Sequence, residues 1–137
     1  MPATPSLTAV IVHAALILGL VMFGLVAHLV GSAMPPLRVA LPGGDALHLW
    51  LLLIGLVPFG ASIALARRLP APRAGATGDE WWRANLGRAV LIWALIEAPT
   101  LLGLVTYLLT RNTHVLLVSV VGLLLYATFR PSRLAEP

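Results

Sequence analysis

Glu97 stands near the middle of a continuous apolar run, Arg88 to Leu109 (RAVLIWALIEAPTLLGLVTYLL), and is the only charged residue deep in any apolar run of the chain. A carboxylate at the centre of a bilayer costs roughly 2.5–3.5 kcal/mol on insertion scales, so such a group faces other helices or water, holds a proton, or serves a pathway. Pro99, two residues on, has no N–H to offer the carbonyl of Leu95, and its ring disturbs the turn before it. A carbonyl freed in lipid must be satisfied by a side chain, a neighbouring helix or water. Trp93, four residues before Glu97, and Thr100, three after it, share its helix face. These residues predict a polar pocket inside a helical bundle, with Glu97 as the candidate ion- or proton-binding group and Thr100, Trp93 and His13 around it. The alternative is a protonated acid that hydrogen-bonds a neighbouring helix and only fixes packing.

The histidines offer a second chemistry. His28 falls in the outer part of the first apolar run, and His48 and His114 open the second and fourth near the same side. Imidazoles from two helices suit axial haem ligation, which makes these three the candidate haem or metal ligands. Their spacing forms no tight motif, and interfacial histidines with water at hand explain them more simply. No cofactor is expected.

The elements that must carry these residues are apolar helices. Hydrophobic residues make up 59% of the 137-residue chain and charged ones 10%, and the apolar positions form unbroken runs without amphipathic rhythm. Leu7 to Ala33, Leu47 to Ala66, roughly Leu86 to Leu109, and a shorter run, Val115 to Phe129 within 114–130, predict four spans, given that about 20 residues cross a bilayer. The expected fold is therefore an all-α polytopic membrane protein, a single four-helix domain over residues 1–137. Met34 to Asp45, rich in Pro and Gly, predicts the first loop, Pro58 a kink in the second span, and Thr110 to Thr113 a tight turn. Arg67 to Arg83 predicts an interfacial loop in which Asp79-Glu80-Trp81-Trp82 begins a short surface helix. Gly19, Gly24 and Gly31, Gly60-x-x-x-Ala64 and Ala94-x-x-x-Ala98 would permit close helix contact.

Arginine placement orients the chain. With both termini inside, Arg67, Arg68, Arg73, Arg83, Arg88, Arg130 and Arg133 lie at the cytoplasmic face of a bacterial inner membrane, against Arg38 and Arg111 outside. Trp81, Trp82 and Tyr126 then fall at the inner boundary, Trp50 and Tyr107 at the outer. The net charge of +4 accordingly points to anionic lipid and away from nucleic acid. The chain has no Cys, which excludes disulfides and thiolate chemistry, and no nucleotide-binding, zinc-protease or nucleophile motif, so no enzyme is expected.

Sliding the chain by 84 residues aligns AVIVHAALILGLVMF (Ala9 to Phe23) with WALIEAPTLLGLVTY (Trp93 to Tyr107), placing His13 on Glu97. A tandem duplicated helical hairpin would produce this match, as would chance between spans built of Leu, Val, Ala and Gly.

Arg88 to Val105 also resembles the carboxylate-bearing helix of proteolipid c-type subunits of rotary ATPases, in which Ala-Leu-x-Glu-Ala precedes an aliphatic-Gly-Leu-Val stretch. The resemblance implies a proton or sodium site at Glu97, on an outward helix joined to an inward one by a cytoplasmic loop with Arg. The family's Gly-x-Gly-x-Gly-x-Gly stripe is absent, the loop is longer, and two further helices flank the hairpin.

Three functions remain open: a non-enzymatic membrane protein assembling with itself or a larger complex through small-residue faces and Glu97, a proton or cation relay through Glu97, and a haem-binding electron carrier.

Overall fold

Thr77 starts the helix around which the fold is built. Its hydroxyl accepts from the N–H of Glu80 at 3.3 Å, and the Glu80 carboxylate accepts from the N–H of Thr77 at 3.1 Å, a reciprocal cap that satisfies two of the donors every helix start leaves bare. Asp79 and Glu80 in the first turn also suit the positive end of the helix dipole. In the computed structural model, which describes residues 4–33, 47–72, 75 and 77–135 and only the backbone of residues 47, 48, 51 and 52, this helix runs unbroken over Gly78–Thr110. The expected short surface helix at Asp79 to Trp82 is thus the first turn of the third long helix, which begins eight residues before Leu86. The cause is the Thr77-x-x-Glu80 capping box.

In chain order the helices are α1 (Pro5–Ala33), α2 (Leu47–Arg67), α3 (Gly78–Thr110), α4 (Leu116–Thr128) and a final turn, α5 (Pro131–Leu134). A 3₁₀ turn, Thr113–Val115, leads into α4. No strand occurs among the described residues, and the fold is all-α. The expected first loop, Met34 to Asp45 with Arg38, lies outside the described residues, as does Arg73.

Direction alternates along the chain. Asp79 at the start of α3 accepts from the backbone N–H of Ser6 at 3.2 Å and from its hydroxyl, which places the starts of α1 and α3 together. At the other end the Arg111 guanidinium donates to Ala27 O at 3.4 Å, so α1 and α3 run parallel. The α3–α4 connection reverses at Arg111, which adopts the left-handed conformation (φ 58°) and donates its N–H to Tyr107 O at 2.8 Å. Asn112 then caps the 3₁₀ turn through its side chain, accepting from the N–H of His114 at 3.0 Å. At the far end of α2, Pro70 O accepts from Trp81 Nε1 at 2.8 Å, which returns the chain to the start of α3.

The helix α3 is the hub, with α1, α2 and α4 all packed on it. By contrast, among the described residues α1 and α2 are not packed against each other as α3 and α4 are. Close approach of α3 and α4 depends on two glycines that face two hydroxyls. A Cβ on Gly122 of α4 would lie 1.8 Å from Thr100 Oγ1, and one on Gly103 of α3 would lie 2.6 Å from Ser119 Oγ. Gly55 plays the same part for α2, its Cβ position 3.4 Å from both Pro99 and Val118. The glycines singled out in sequence divide differently. Gly24 meets Leu104 and Gly31 meets the Arg111 guanidinium, while Gly19 and Gly60 face open space. Ala64, Ala94 and Ala98 are exposed as well.

Two helices, α1 and α3, are long and apolar enough to cross a membrane. At 1.5 Å per residue α3 is about 50 Å long, against a hydrocarbon core of about 30 Å. The outer faces are apolar on every long helix, with Leu18 (62% exposed), Val57 (74%), Leu91 (50%) and Leu124 (63%) pointing away from the core. Pro58 and Pro99, the expected kinks, both lie within continuous helices; Pro99 is buried against α2.

The glycine notch makes a sharp expectation. Gly122→Ala should destabilise the bundle by about 1–3 kcal/mol, as overpacking does, because Thr100 is β-branched and bonded to its own helix. Gly60→Ala should be neutral or stabilising, since its Cβ meets nothing. Unfolding by graded SDS in mild detergent compares them, and equal midpoints for both variants would contradict the notch.

Candidate functional site

A polar cluster of the core forms where α1, α3 and the end of α4 meet. A helix leaves its last four carbonyls without intrahelical partners, and in an apolar setting each bare one is costly. Here two donors arrive from other helices. His13 Nε2 of α1 lies 3.2 Å from Tyr126 O, and since a carbonyl only accepts, the imidazole carries its proton on Nε2 and donates it. Trp93 Nε1 of α3 donates to Phe129 O at 2.9 Å. In return the Tyr126 hydroxyl donates to Trp93 O at 3.0 Å. The rings pack edge to face, His13 to Trp93 at 5.0 Å and His13 to Tyr126 at 5.6 Å. Trp93 and Tyr126 are wholly buried and His13 is 8% exposed. The aromatic row continues through Trp82, 6.3 Å from Trp93, to Trp81, 4.9 Å from Trp82.

Glu97 sits one turn along α3 from Trp93, at the margin of this cluster. It is half-buried, not enclosed. Among the described residues no hydrogen bond or ion pair reaches its carboxylate. Thr100 faces elsewhere. It is fully buried against α4, donates its Oγ1 proton to Ile96 O at 2.5 Å, and its carbonyl accepts from Ser119 Oγ at 2.9 Å. The expected grouping of Glu97, Trp93, Thr100 and His13 therefore splits. His13 and Trp93 join Tyr126 in one network, Glu97 flanks it, and Thr100 belongs to the α3–α4 seam.

His28 and His114 are both exposed, near the end of the bundle where Arg111 meets α1, and the side chain of His48 lies outside the described residues. Among the described residues no three His, Cys, Asp or Glu side chains cluster as metal ligands.

Tyr126, the residue at the centre of the cluster, is one that sequence reasoning assigned to an interfacial aromatic belt, together with Trp81 and Trp82. All three are buried, Trp81 and Trp82 at 6% and 4% exposure. The available signal was that a tyrosine in a run as apolar as Val115 to Phe129 must find an acceptor for its hydroxyl. Each step of the network ends on a backbone carbonyl, and a carbonyl cannot pass a proton on. Its chemistry is that of a clasp.

Comparison with family models, with curated proteins and with solved structures finds no match to this chain. Fold and site together define an all-α protein with two helices long and apolar enough for a membrane and one buried aromatic-imidazole clasp.

If His13 serves as a donor to α4, His13→Leu should lower stability by about 1–3 kcal/mol by leaving Tyr126 O bare, whereas His13→Gln, which keeps an N–H, should recover part of that loss. Equal unfolding midpoints for the two variants would show that the imidazole acts by shape alone.

Proposed function

We propose that the chain is a small, non-enzymatic integral membrane protein of four spans, with both termini cytoplasmic, that assembles with a second copy or a larger membrane complex across the outer face of α3. The observation that carries this reading is Glu97: a half-exposed carboxylate without a hydrogen-bond partner among the described residues, on an apolar surface. In lipid such a group needs a partner from outside its own bundle. Ala94 and Ala98, exposed on either side of it along α3, allow another helix to approach closely.

The topology has its own support. Arg67, Arg68, Arg83, Arg88, Arg130 and Arg133 lie toward the end of the bundle that holds the starts of α1 and α3, and Arg111 lies at the other. That asymmetry is what the positive-inside tendency orients. The short α4, about 20 Å long, needs its flanking turns or a locally thinned bilayer to span.

Glu97→Ala should reduce oligomer size or strip co-purifying partners in mild detergent, with Glu97→Gln, which can still hydrogen-bond, affected less. An unchanged assembly in Glu97→Ala would refute the role of the acid as polar glue. Proton flux in liposomes abolished by Glu97→Gln, with assembly intact, would instead establish the relay implied by the proteolipid resemblance.

A further inference from the structure

At the arginine-rich end of the bundle, α2 and the α4–α5 corner do not close on each other. Between them lies a cleft of about 550 Å³, within the roughly 300–1,000 Å³ range of small-molecule sites. Its walls are apolar, formed by Ile63 and Leu69 on one side and Leu125, Phe129 and Leu134 on the other. Among the described residues its charged lining is Arg67, at the last residue of α2, and Arg133, in α5, with Thr128, whose hydroxyl donates to Leu124 O at 2.8 Å, beside them. No Asp or Glu among the described residues lines it. Both arginines are exposed, and neither guanidinium has a hydrogen bond or ion pair among the described residues.

From this combination we infer that the cleft is a binding site for one anionic phospholipid, its phosphate held between Arg67 and Arg133 and the upper part of its acyl chains lying on the apolar walls. The inference rests on the membrane reading above, which puts this end of the bundle at headgroup level. Charge complementarity selects the occupant. Guanidinium groups match phosphate oxygens in a planar, two-pronged geometry, and basic pockets between spanning helices on the cytoplasmic side suit anionic headgroups. The carboxyl-terminal ends of α2 and α4 both point this way, and their dipoles repel negative charge. Within the cleft itself the attraction therefore comes from Arg67 and Arg133. An apolar wall reaching down from the arginines distinguishes a lipid from a free anion, which would gain nothing from Leu125 or Phe129.

Native mass spectrometry of the purified protein, released from mixed micelles holding equal amounts of phosphatidylglycerol and phosphatidylcholine, tests this. One phosphatidylglycerol should be retained in preference to phosphatidylcholine by roughly tenfold or more. The double variant Arg67→Ala/Arg133→Ala should lose that preference, while the double variant Arg83→Ala/Arg88→Ala, two exposed arginines outside the cleft with the same change in charge, should keep it. Equal retention of the two lipids by the wild type, or an equal loss in Arg83→Ala/Arg88→Ala, would overturn the site. Alkaline carbonate extraction of cell membranes separates the two readings. A wild-type chain that stays in the membrane yet shows no lipid preference refutes the cleft alone, and one released by carbonate refutes the membrane reading on which it rests.

Discussion

The carboxyl end of α4 sets the register of α1, α3 and α4. At 13 residues this helix is at the length where an isolated helix is marginal even in favourable sequences, and its final carbonyls are bare by construction. His13 and Trp93 bring donors to Tyr126 O and Phe129 O from two different helices. Neither side chain can slide a turn along its helix without leaving a carbonyl unsatisfied, so α1 and α3 are held at one height relative to α4. The glycine–hydroxyl pairs Gly122 with Thr100 and Gly103 with Ser119 then fix how closely α4 approaches. Hydrogen bonds set the height and missing side chains set the distance. Apolar contact, which is undirected, could have fixed neither.

This arrangement also decides where Glu97 goes. Trp93 turns inward to reach Phe129, and Thr100, seven residues on, falls on nearly the same line and turns inward to α4. Glu97 lies between them in sequence but is rotated to one side, which brings it to the boundary between core and outer surface. The protein thus satisfies its buried imidazole, indole and phenol internally and leaves its one mid-helix acid half outside. Such a division fits a chain whose polar chemistry is completed by another molecule better than one that conducts through its own interior.

Much of this was legible in the residues. Four apolar runs, their alternating direction, and the gathering of arginines at one end could be read from composition and charge, and the turn at Arg111 from Thr110 to Thr113. The Thr77-x-x-Glu80 box was equally present and would have placed the start of α3 at Gly78 instead of Leu86. What could not be read was rotation. When every face of a helix is apolar, periodicity carries no signal for which face turns inward, so Gly60 and Ala98 looked as suited to internal packing as Gly103 and Gly122. Tyr126 was misplaced for the same reason, since its position near a span end fits a belt or a core depending only on azimuth. The pairing of His13 with Glu97 by alignment put two real features of the chain in register, yet the partners of His13 are Trp93 and Tyr126, contacts across helices that no spacing within a helix reveals.

The clasp has a consequence for the order in which the molecule can be completed. A ribosome delivers the chain from its amino end, so His13 leaves it 80 residues ahead of Trp93 and 113 ahead of Tyr126. Throughout that interval α1 has neither the ring on which its imidazole packs nor the carbonyl to which it donates, and its one buried histidine must be tolerated or shielded. Tyr126 and Phe129 then arrive together, and with them both acceptors. The first three helices therefore emerge before the contacts that lock them exist, which makes the end of α4 a checkpoint for the helices that precede it.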